Sequence, residues 1–486
     1  MNLPVAAEAA PPDPDRLPQQ VALVWLVTSL LVGLVVRTVL ALTDDGLYWP
    51  DEIHQSLEPA HRLVFGYGLV TWEFERGARN WVFPGILAGL LKFLDAVGVA
   101  DPAIYVRVLK VLMAWLGSAT ALGVYAVART HGATRISASA AAGLWSLLAP
   151  AIYFAPRMLG ENASLLPLLL GWALLGRGTR HNGVWGAALL VVAVVLRPHN
   201  VVFCVVWLLV LAARRQGPLL ARTVGVFVLG ALALGLLDRL TWGSWFQSVV
   251  EYLRANVTQD VAAQWGSRDA FHYVRVLGRC MVLPLAVLLW TVPAAFATRA
   301  RGLLLATLAF LVVHAWVPHK ELRFILPALP LLCALCAVGL ERWDGVVPGV
   351  RNTVAGMLVV VALASVAGHK RLTKHDLGLE DHVVDTTSAY DLGGPINRLL
   401  MKAWREPDLC GVMVTKIFLV GTGAYSHLHR NVWLHEARPE TFEAAQFSHI
   451  IVEEENLGTE RVDVRARDGR WLLARVLDRP CTPKSP

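Results

Sequence analysis

Residues 21–42 read VALVWLVTSLLVGLVVRTVLAL, a stretch whose one charged residue is Arg37. A helix needs about 20 apolar residues to cross the hydrocarbon of a bilayer, so this run is long enough to span. It is also too long for the core of a cleavable signal peptide, and reads as an anchor that stays. The residues ahead of it, 1–20, are rich in Pro and Asp and lack a basic region; they are expected to form a disordered tail. Further apolar runs recur at 107–128, 136–155, 161–176, 184–196, 201–213, 219–237, 276–297, 302–317, 323–340 and 350–368. The composition agrees: 55% of residues are hydrophobic and 17% charged, where a soluble chain carries about a quarter charged. The reading is an all-α polytopic membrane protein with about eleven transmembrane helices.

The formal charge of +7 does not point to nucleic acid, because the Lys and Arg fall in short clusters between apolar runs. Such clusters orient a membrane protein. The loops Arg129–Arg135, Arg177–His181, Arg214–Arg222, Arg299–Arg301 and Arg342–Arg351 each carry two or three Arg and are all expected in the cytoplasm. Trp81–Val99 is apolar too, yet counting it as a span would put Arg129–Arg135 outside. It also carries Pro84, Lys92 and Asp95, and is expected to be an interfacial helix lying along the membrane. The N-terminus is then inside and the C-terminus outside. Residues 21–368 form the membrane domain, with 43–106 as its first extracytoplasmic loop, and 369–486 form a C-terminal extracytoplasmic domain. That tail reads as a small α/β unit, with a helix at Ser388–Arg405 and strand-like runs at Val412–Val420, Ser448–Glu453 and Trp471–Leu477. Cys410 and Cys481 can pair there if the compartment is oxidising; Cys333 and Cys336 lie in an apolar run and read as core.

The loops expected outside concentrate the chemistry. Trp49-Pro50-Asp51-Glu52 is followed by Gln55 and Glu58. If Pro50 opens a helix, Asp51, Gln55 and Glu58 share one face. Such a face suits a general base acting on a sugar hydroxyl; a solvated acidic turn complementing the helix dipole fits the spacing equally well. The second group, His319-Lys320-Glu321-Leu322-Arg323, puts three potential cations at a span exit, against the orientation rule. Lys as a point charge and Arg as a fork can hold a lipid phosphate. Arg157 with Glu161, and Arg197 in a second short turn, are further substrate-binding candidates. No phosphate-binding loop, zinc-ligand spacing or nucleophile elbow is present.

Together, Pro50-Asp51-Glu52, Gln55-Ser56-Leu57-Glu58, His61, Phe65-Gly66-Tyr67-Gly68 and Thr71-Trp72-Glu73 resemble the opening motif of glycosyltransferase family 22. This family comprises the dolichyl-phosphate-mannose-dependent mannosyltransferases of the GPI-anchor and N-glycan pathways. His319-Lys320-Glu321 with Arg323-Phe324 and Pro327 resembles its second hallmark. Asp238-Arg239 with Gly243-Ser244-Trp245, and Tyr425-Ser426-His427-Leu428-His429 in the tail, are similar to later parts of it. The likeness is greatest to the members that add the third mannose of GPI anchors. Trp49 and His54 depart from the family pattern, as does the Gly160-Glu161-Asn162 turn. The resemblance implies a GT-C fold with juxtamembrane helices in the first outer loop. It implies Asp51 as general base, Glu52 positioning sugar or acceptor, and Lys320, Arg323 and His319 on the donor phosphate. Gln55, Glu58, Arg157 and Arg197 would line the substrate site. The expected partners are a polyprenyl-phosphate sugar, a lipid-linked glycan acceptor and membrane lipids, with no nucleic acid, metal or cofactor. The membrane would be endoplasmic reticulum in a eukaryote and plasma membrane in a bacterium. A secondary transporter is the competing class, though such folds tend to carry internal repeats and midplane charges, and neither is visible.

Overall fold

The computed structural model describes residues 16–484 except Tyr48, Asp260, Ala262, Ala263, Trp265, Asp478 and the stretches 379–384, 416–418, 438–445 and 458–460. Most of residues 1–20 therefore lie outside it. At its centre is helix Arg135–Leu147, in which every residue from Ser137 to Leu147 is buried. Its run Ser137-Ala-Ser-Ala-Ala-Ala-Gly143 has almost no side-chain bulk, which lets neighbours approach closely. Around it pack helices Arg16–Thr43, Pro102–Thr130, Ala328–Asp344 and Val350–Gly368. Gly160–Gly176 and Arg180–Leu196 form an antiparallel pair on the outer side of Pro102–Thr130.

Among the described residues, four helices are long and apolar enough to cross a membrane alone: Pro18–Thr43, Pro102–Thr130, Gly217–Trp242 and Val350–Arg371. Three shorter apolar helices, Arg180–Leu196, Pro198–Ala213 and Arg301–Trp316, cover other expected spans. Three expected spans are not single helices. Residues 276–297 are divided between His272–Cys280 and Val282–Ala297, bent by 119°. Pro284 cannot donate to the Cys280 carbonyl, so the helix stops and restarts. The run 323–340 begins with a 3-10 turn, Leu322–Ile325, before helix Ala328–Asp344. The run 136–155 stops at Leu147 and restarts at Ala149. Pro150 has no N–H for the Ser146 carbonyl, and a side chain fills in: Arg37 Nη1 donates to Ser146 O at 2.6 Å and Nη2 reaches Trp145 O at 3.5 Å. Gly33, one turn earlier, leaves room for that guanidinium; a methyl there would collide with Ser146 and Arg37.

The Arg-bearing loops gather at one end of the bundle. Thr134 donates to Glu341 at 2.7 Å, and Arg351 lies 3.6 Å from the same carboxyl. Arg135 bonds Gln19, His131 abuts Gly176, and Arg214 reaches Gly302. The long connection 43–106 lies at the other end. Within it, helix Val82–Ala96 buries Phe83, Leu87 and Leu91 against Ile53, Leu57 and Ala60, and leaves Ile86 and Phe93 exposed.

The tail folds on the same end as 43–106. Strands β1 (Gly411–Val414), β2 (Trp433–Glu436), β3 (His449–Glu453), β4 (Val462–Asp468) and β5 (Trp471–Val476) form one sheet in the order β2-β1-β3-β5-β4. β1 is parallel to β2 and β3; β5 is antiparallel to β3 and β4. Helix Gly394–Ala403 covers one face through Leu399, Leu400 and Ala403, and Met413, Ile450 and Leu472 point to the other. Two faces are thus buried, which is why β3 reads as continuous apolar sequence. β2 and β4 are additions to the expected strands. β1 is shorter than expected, with a 3-10 turn at Leu419–Gly421. Cys410 and Cys481 form a disulfide.

Candidate active site

The acidic stretch after the first helix does not continue as a regular α-helix. After a turn at Pro50, Ile53–Leu57 forms a π-helical turn, closed by the Glu58 N–H on the Ile53 carbonyl, before helix Glu58–Phe65. A π turn inserts an extra residue and rotates Asp51, Gln55 and Glu58 away from one another. Each goes to a different partner, so the single face expected for them does not form.

Asp51 Oδ2 lies 2.6 Å from Arg323 Nη2. Arg323 also binds Glu161 at 3.3 Å and pairs with Glu321 through Nε. Arg197 holds Glu161 at 3.0 Å, and His319 Nε2 lies 3.0 Å from Glu321 Oε1. Segments distant in sequence thus converge on one buried guanidinium, which also lies over the Phe324 ring at 4.8 Å. Burial opposes the charged form of Glu321, but Arg323 and His319 outweigh it and hold its carboxyl at about 2. Burial likewise opposes the charge on His319, yet its bond to Glu321 raises its pKa above the ordinary value. Of the carboxylates around Arg323, Asp51 is the most exposed, at 27%, against 2% for Glu161 and 21% for Glu321.

Glu52 turns the other way, 3.3 Å from Arg157, whose other nitrogen is 2.7 Å from Asp44. All three side chains are at most 3% exposed. Arg157 also donates to Gly46 O and stacks over Tyr153 at 4.7 Å. Asp44 accepts from the Gly46 and Asp391 N–H groups. Its carboxyl, opposed by burial, is held below the usual range by Arg157 and Lys110.

Gln55 donates to Glu73 at 2.8 Å beside the cluster. Glu58 is fully buried on the far face, where its oxygens accept from Leu69 N and Ser426 N at 2.7 Å each; it docks the tail onto the first loop. His61 joins that contact through His429, at 3.0 Å. Lys320 does not point at Arg323: its Nζ donates to Val317 O and Arg268 O. The structure therefore unites Asp51, Arg197, His319 and Arg323, puts Glu52 and Arg157 in an adjoining closed set, and directs Gln55, Glu58 and Lys320 elsewhere. Asp44 was not singled out from sequence, and Glu73 entered only as part of the Thr71-Trp72-Glu73 motif. The adjacent acids Asp44-Asp45 at the exit of the first helix were the signal, one step before the more familiar Asp51-Glu52.

The family model of the Alg9-like mannosyltransferases matches residues 28–374, a range that holds every one of these ion pairs. The chain belongs to this family. Among similar curated proteins, GPI mannosyltransferase 3 of Yarrowia lipolytica is 31% identical over 63% of this chain and 60% of its own length. Mannosyltransferase APTG1 of Arabidopsis thaliana is 27% identical over 62% and 56%. GPI alpha-1,2-mannosyltransferase 3 of Danio rerio is 28% identical over 68% and 61%. The chain thus spans about three-fifths of the length of the curated relatives it matches. In fold it resembles ArnT from Cupriavidus metallidurans bound to undecaprenyl phosphate, with TM-score 0.60 at 14% identity over 95% of this chain and 99% of ArnT. The apo form of ArnT gives 0.58 at 16% identity. ArnT has the GT-C architecture, and the chain shares that fold. Its tail beyond residue 374 lies outside the family match.

Proposed function

We propose that the chain is an inverting mannosyltransferase that moves mannose from a polyprenyl (dolichyl) phosphate to a lipid-linked glycan or GPI-like acceptor. The observation that carries the reading is Asp51: the most accessible carboxylate around Arg323, in a chain of a mannosyltransferase family. In the reaction Asp51 takes the proton of the acceptor hydroxyl, whose oxygen attacks the anomeric carbon. The bond from that carbon to the phosphate oxygen breaks on the opposite face, and the lipid phosphate leaves with the electron pair. One displacement inverts the configuration. Arg323 and His319 receive the charge that grows on the phosphate, while Lys320, spent on the Val317 and Arg268 carbonyls, braces the loop that carries them. Glu52, held by Arg157, fixes the backbone that presents Asp51. Gln55 and Arg197 shape the surrounding walls, with Arg157 bracing Glu52 behind them and Glu58 docking the tail onto the first loop.

The same reading puts the Asp51 end of the bundle on the non-cytoplasmic face, with eleven crossings and residues 369–486 as an extracytoplasmic domain. The gathering of Arg loops at the opposite end supports it, as does the disulfide in the tail.

The test is transfer by purified chain in nanodiscs, supplied with dolichyl-phosphate mannose and a GPI-type acceptor. Mannosylated product with inverted anomeric configuration is expected. Uptake of solute by sealed vesicles without any transfer would replace the enzyme with a transporter. In the same vesicles, a cysteine in the Arg214–Arg222 loop and one at Gly378 should label from opposite sides.

A further inference from the structure

Where the chain leaves helix Gly394–Ala403 it turns back toward the sheet at Glu406 and Asp408. His449, the first residue of β3, faces both and is fully buried. Its Nε2 lies 3.9 Å from Glu406 Oε2 and 3.8 Å from Asp408 Oδ1. Nε2 and Oδ1 are buried without a hydrogen-bond partner. One donor atom from each of the three residues fits within 4.8 Å of the others. These separations are too long for hydrogen bonds. Yet buried polar atoms left facing one another are costly, and a cation bound by all three removes that cost.

The surroundings prepare the imidazole for this. Ser448 Oγ lies 2.9 Å from His449 Nδ1. With its Nδ1–H donated there, the ring turns the Nε2 lone pair toward the two carboxylates, as metal-binding histidines are usually held. Two arginines crowd the rim: Arg475 Nε is 2.8 Å from Asp408 Oδ2, and Arg465 is 3.8 Å from Glu406 Oε2 and Asp408 Oδ2. They engage Oδ2 and leave Oδ1 for the imidazole side. Arg465 is itself 3.3 Å from Asp463, which offsets part of its charge.

We propose that Glu406, Asp408 and His449 form a divalent metal site, of a kind that suits zinc, in the C-terminal tail. One nitrogen and two carboxylate oxygens make a three-ligand set with a position left for water. The imidazole selects against calcium and magnesium, which prefer oxygen. The ion would tie the 406–408 turn to β3, next to the disulfide at Cys410 and to Arg405, which pairs with Asp101 at the start of helix Pro102–Thr130. The site lies apart from the Arg323 cluster and does not depend on the proposed reaction.

The experiment is titration of the full chain in nanodiscs, stripped with chelator, using Zn2+ alone and following heat and thermal melting. One saturable equivalent and a raised melting temperature are expected, with no competition from Mg2+. Co2+ should give the absorption bands of a low-symmetry site with nitrogen and oxygen ligands. His449→Gln and Glu406→Gln should each lose that equivalent, and Ser448→Ala should weaken it by roughly 10-fold. Glu406 is partly exposed, at 19%, so its variant keeps the proposal falsifiable if His449→Gln fails to fold. Binding of equal stoichiometry in parent and both Gln variants would overturn the proposal. So would a parent that binds no Zn2+ and instead loses, on His449→Gln, a pH-dependent step in its melting; a proton would then fill the place.

Discussion

Asp51→Asn separates chemistry from stability at this site. The substitution removes one of three carboxylates from a group that holds two guanidinium groups, Arg197 and Arg323. Arg323 keeps Glu161 and Glu321, and the Asn carbonyl still accepts from its Nη2. Asp51 is 27% exposed, so solvent already screens its pair, and the cost in stability should stay under about 1 kcal/mol. That corresponds to a melting shift of no more than about 3 °C in a chain of this size. The chemical cost is of another order. Asn cannot take a proton, and a positioned base contributes roughly 10²–10⁴-fold, or about 2.7–5.5 kcal/mol of barrier. The assay is steady-state transfer in nanodiscs, with kcat and the acceptor KM measured beside the melting curve. A kcat lowered at least about 100-fold at nearly constant KM is expected. Turnover within about threefold of the parent would refute Asp51 as base, because no positioned base contributes so little. Glu52→Gln is the companion: with Arg157 left against one buried acid, its main effect should be destabilisation by about 3 kcal/mol or more.

Arg323→Lys keeps the charge but cannot reach three carboxylates in a plane; kcat/KM should fall about 10-fold or more, and equal kinetics for the two residues would dismiss the fork. Burial pushes the Glu58 carboxyl up to about 7 against the pull of its N–H donors. A carboxyl raised in this way contributes stability that is complete below its unfolded pKa, near 4.5, and lost as pH rises through about 7. Glu58→Gln should therefore flatten the fall in melting temperature between about pH 5 and 8, and an unchanged slope would mean that another group titrates. Arg37→Met leaves the Ser146 and Trp145 carbonyls without their donor and should cost about 1–3 kcal/mol. Gly33→Ala, which displaces the same guanidinium, should reproduce that loss, and a neutral outcome for both in thermal melts would mean that Arg37 does not support the helix break.

The apolar runs were legible as helices because so long an apolar run has few other uses, and the Arg loops stood out as a set, which the fold gathers at one end of the bundle. The Arg323 cluster was legible in part. His319-Lys320-Glu321-Leu322-Arg323 stood out, but nothing local says that Lys320 caps carbonyls while Arg323 collects acids from 51 and 161. The Asp51–Glu58 face failed for a specific reason: side-chain spacing assumes 3.6 residues per turn, and the π turn at Ile53–Leu57 does not obey it. The breaks at Met281 and Leu148 were written in Pro284 and Pro150, yet length and hydropathy outweighed them. β2 and β4 were missed because four polar-flanked residues, or a strand with bulges and alternating charge, carry little pattern. β4 in particular is VDVRARD with a register shift between Val464 and Ala466.

The tether from Arg37 to the Pro150 break bears on how such a chain is made. The two partners, Arg37 and Ser146, are 109 residues apart, so the ribosome finishes the first helix long before the carbonyls that receive its guanidinium exist. In that interval the side chain has only headgroups and water to turn to, six residues from the end of its helix. A helix nascent in the bilayer would ride toward that surface to keep the charge wet. Helix Arg135–Leu147, made later, supplies the two carbonyls that receive the guanidinium. The order of synthesis thus leaves the charge of the first helix without its protein partners until the third apolar run has been made.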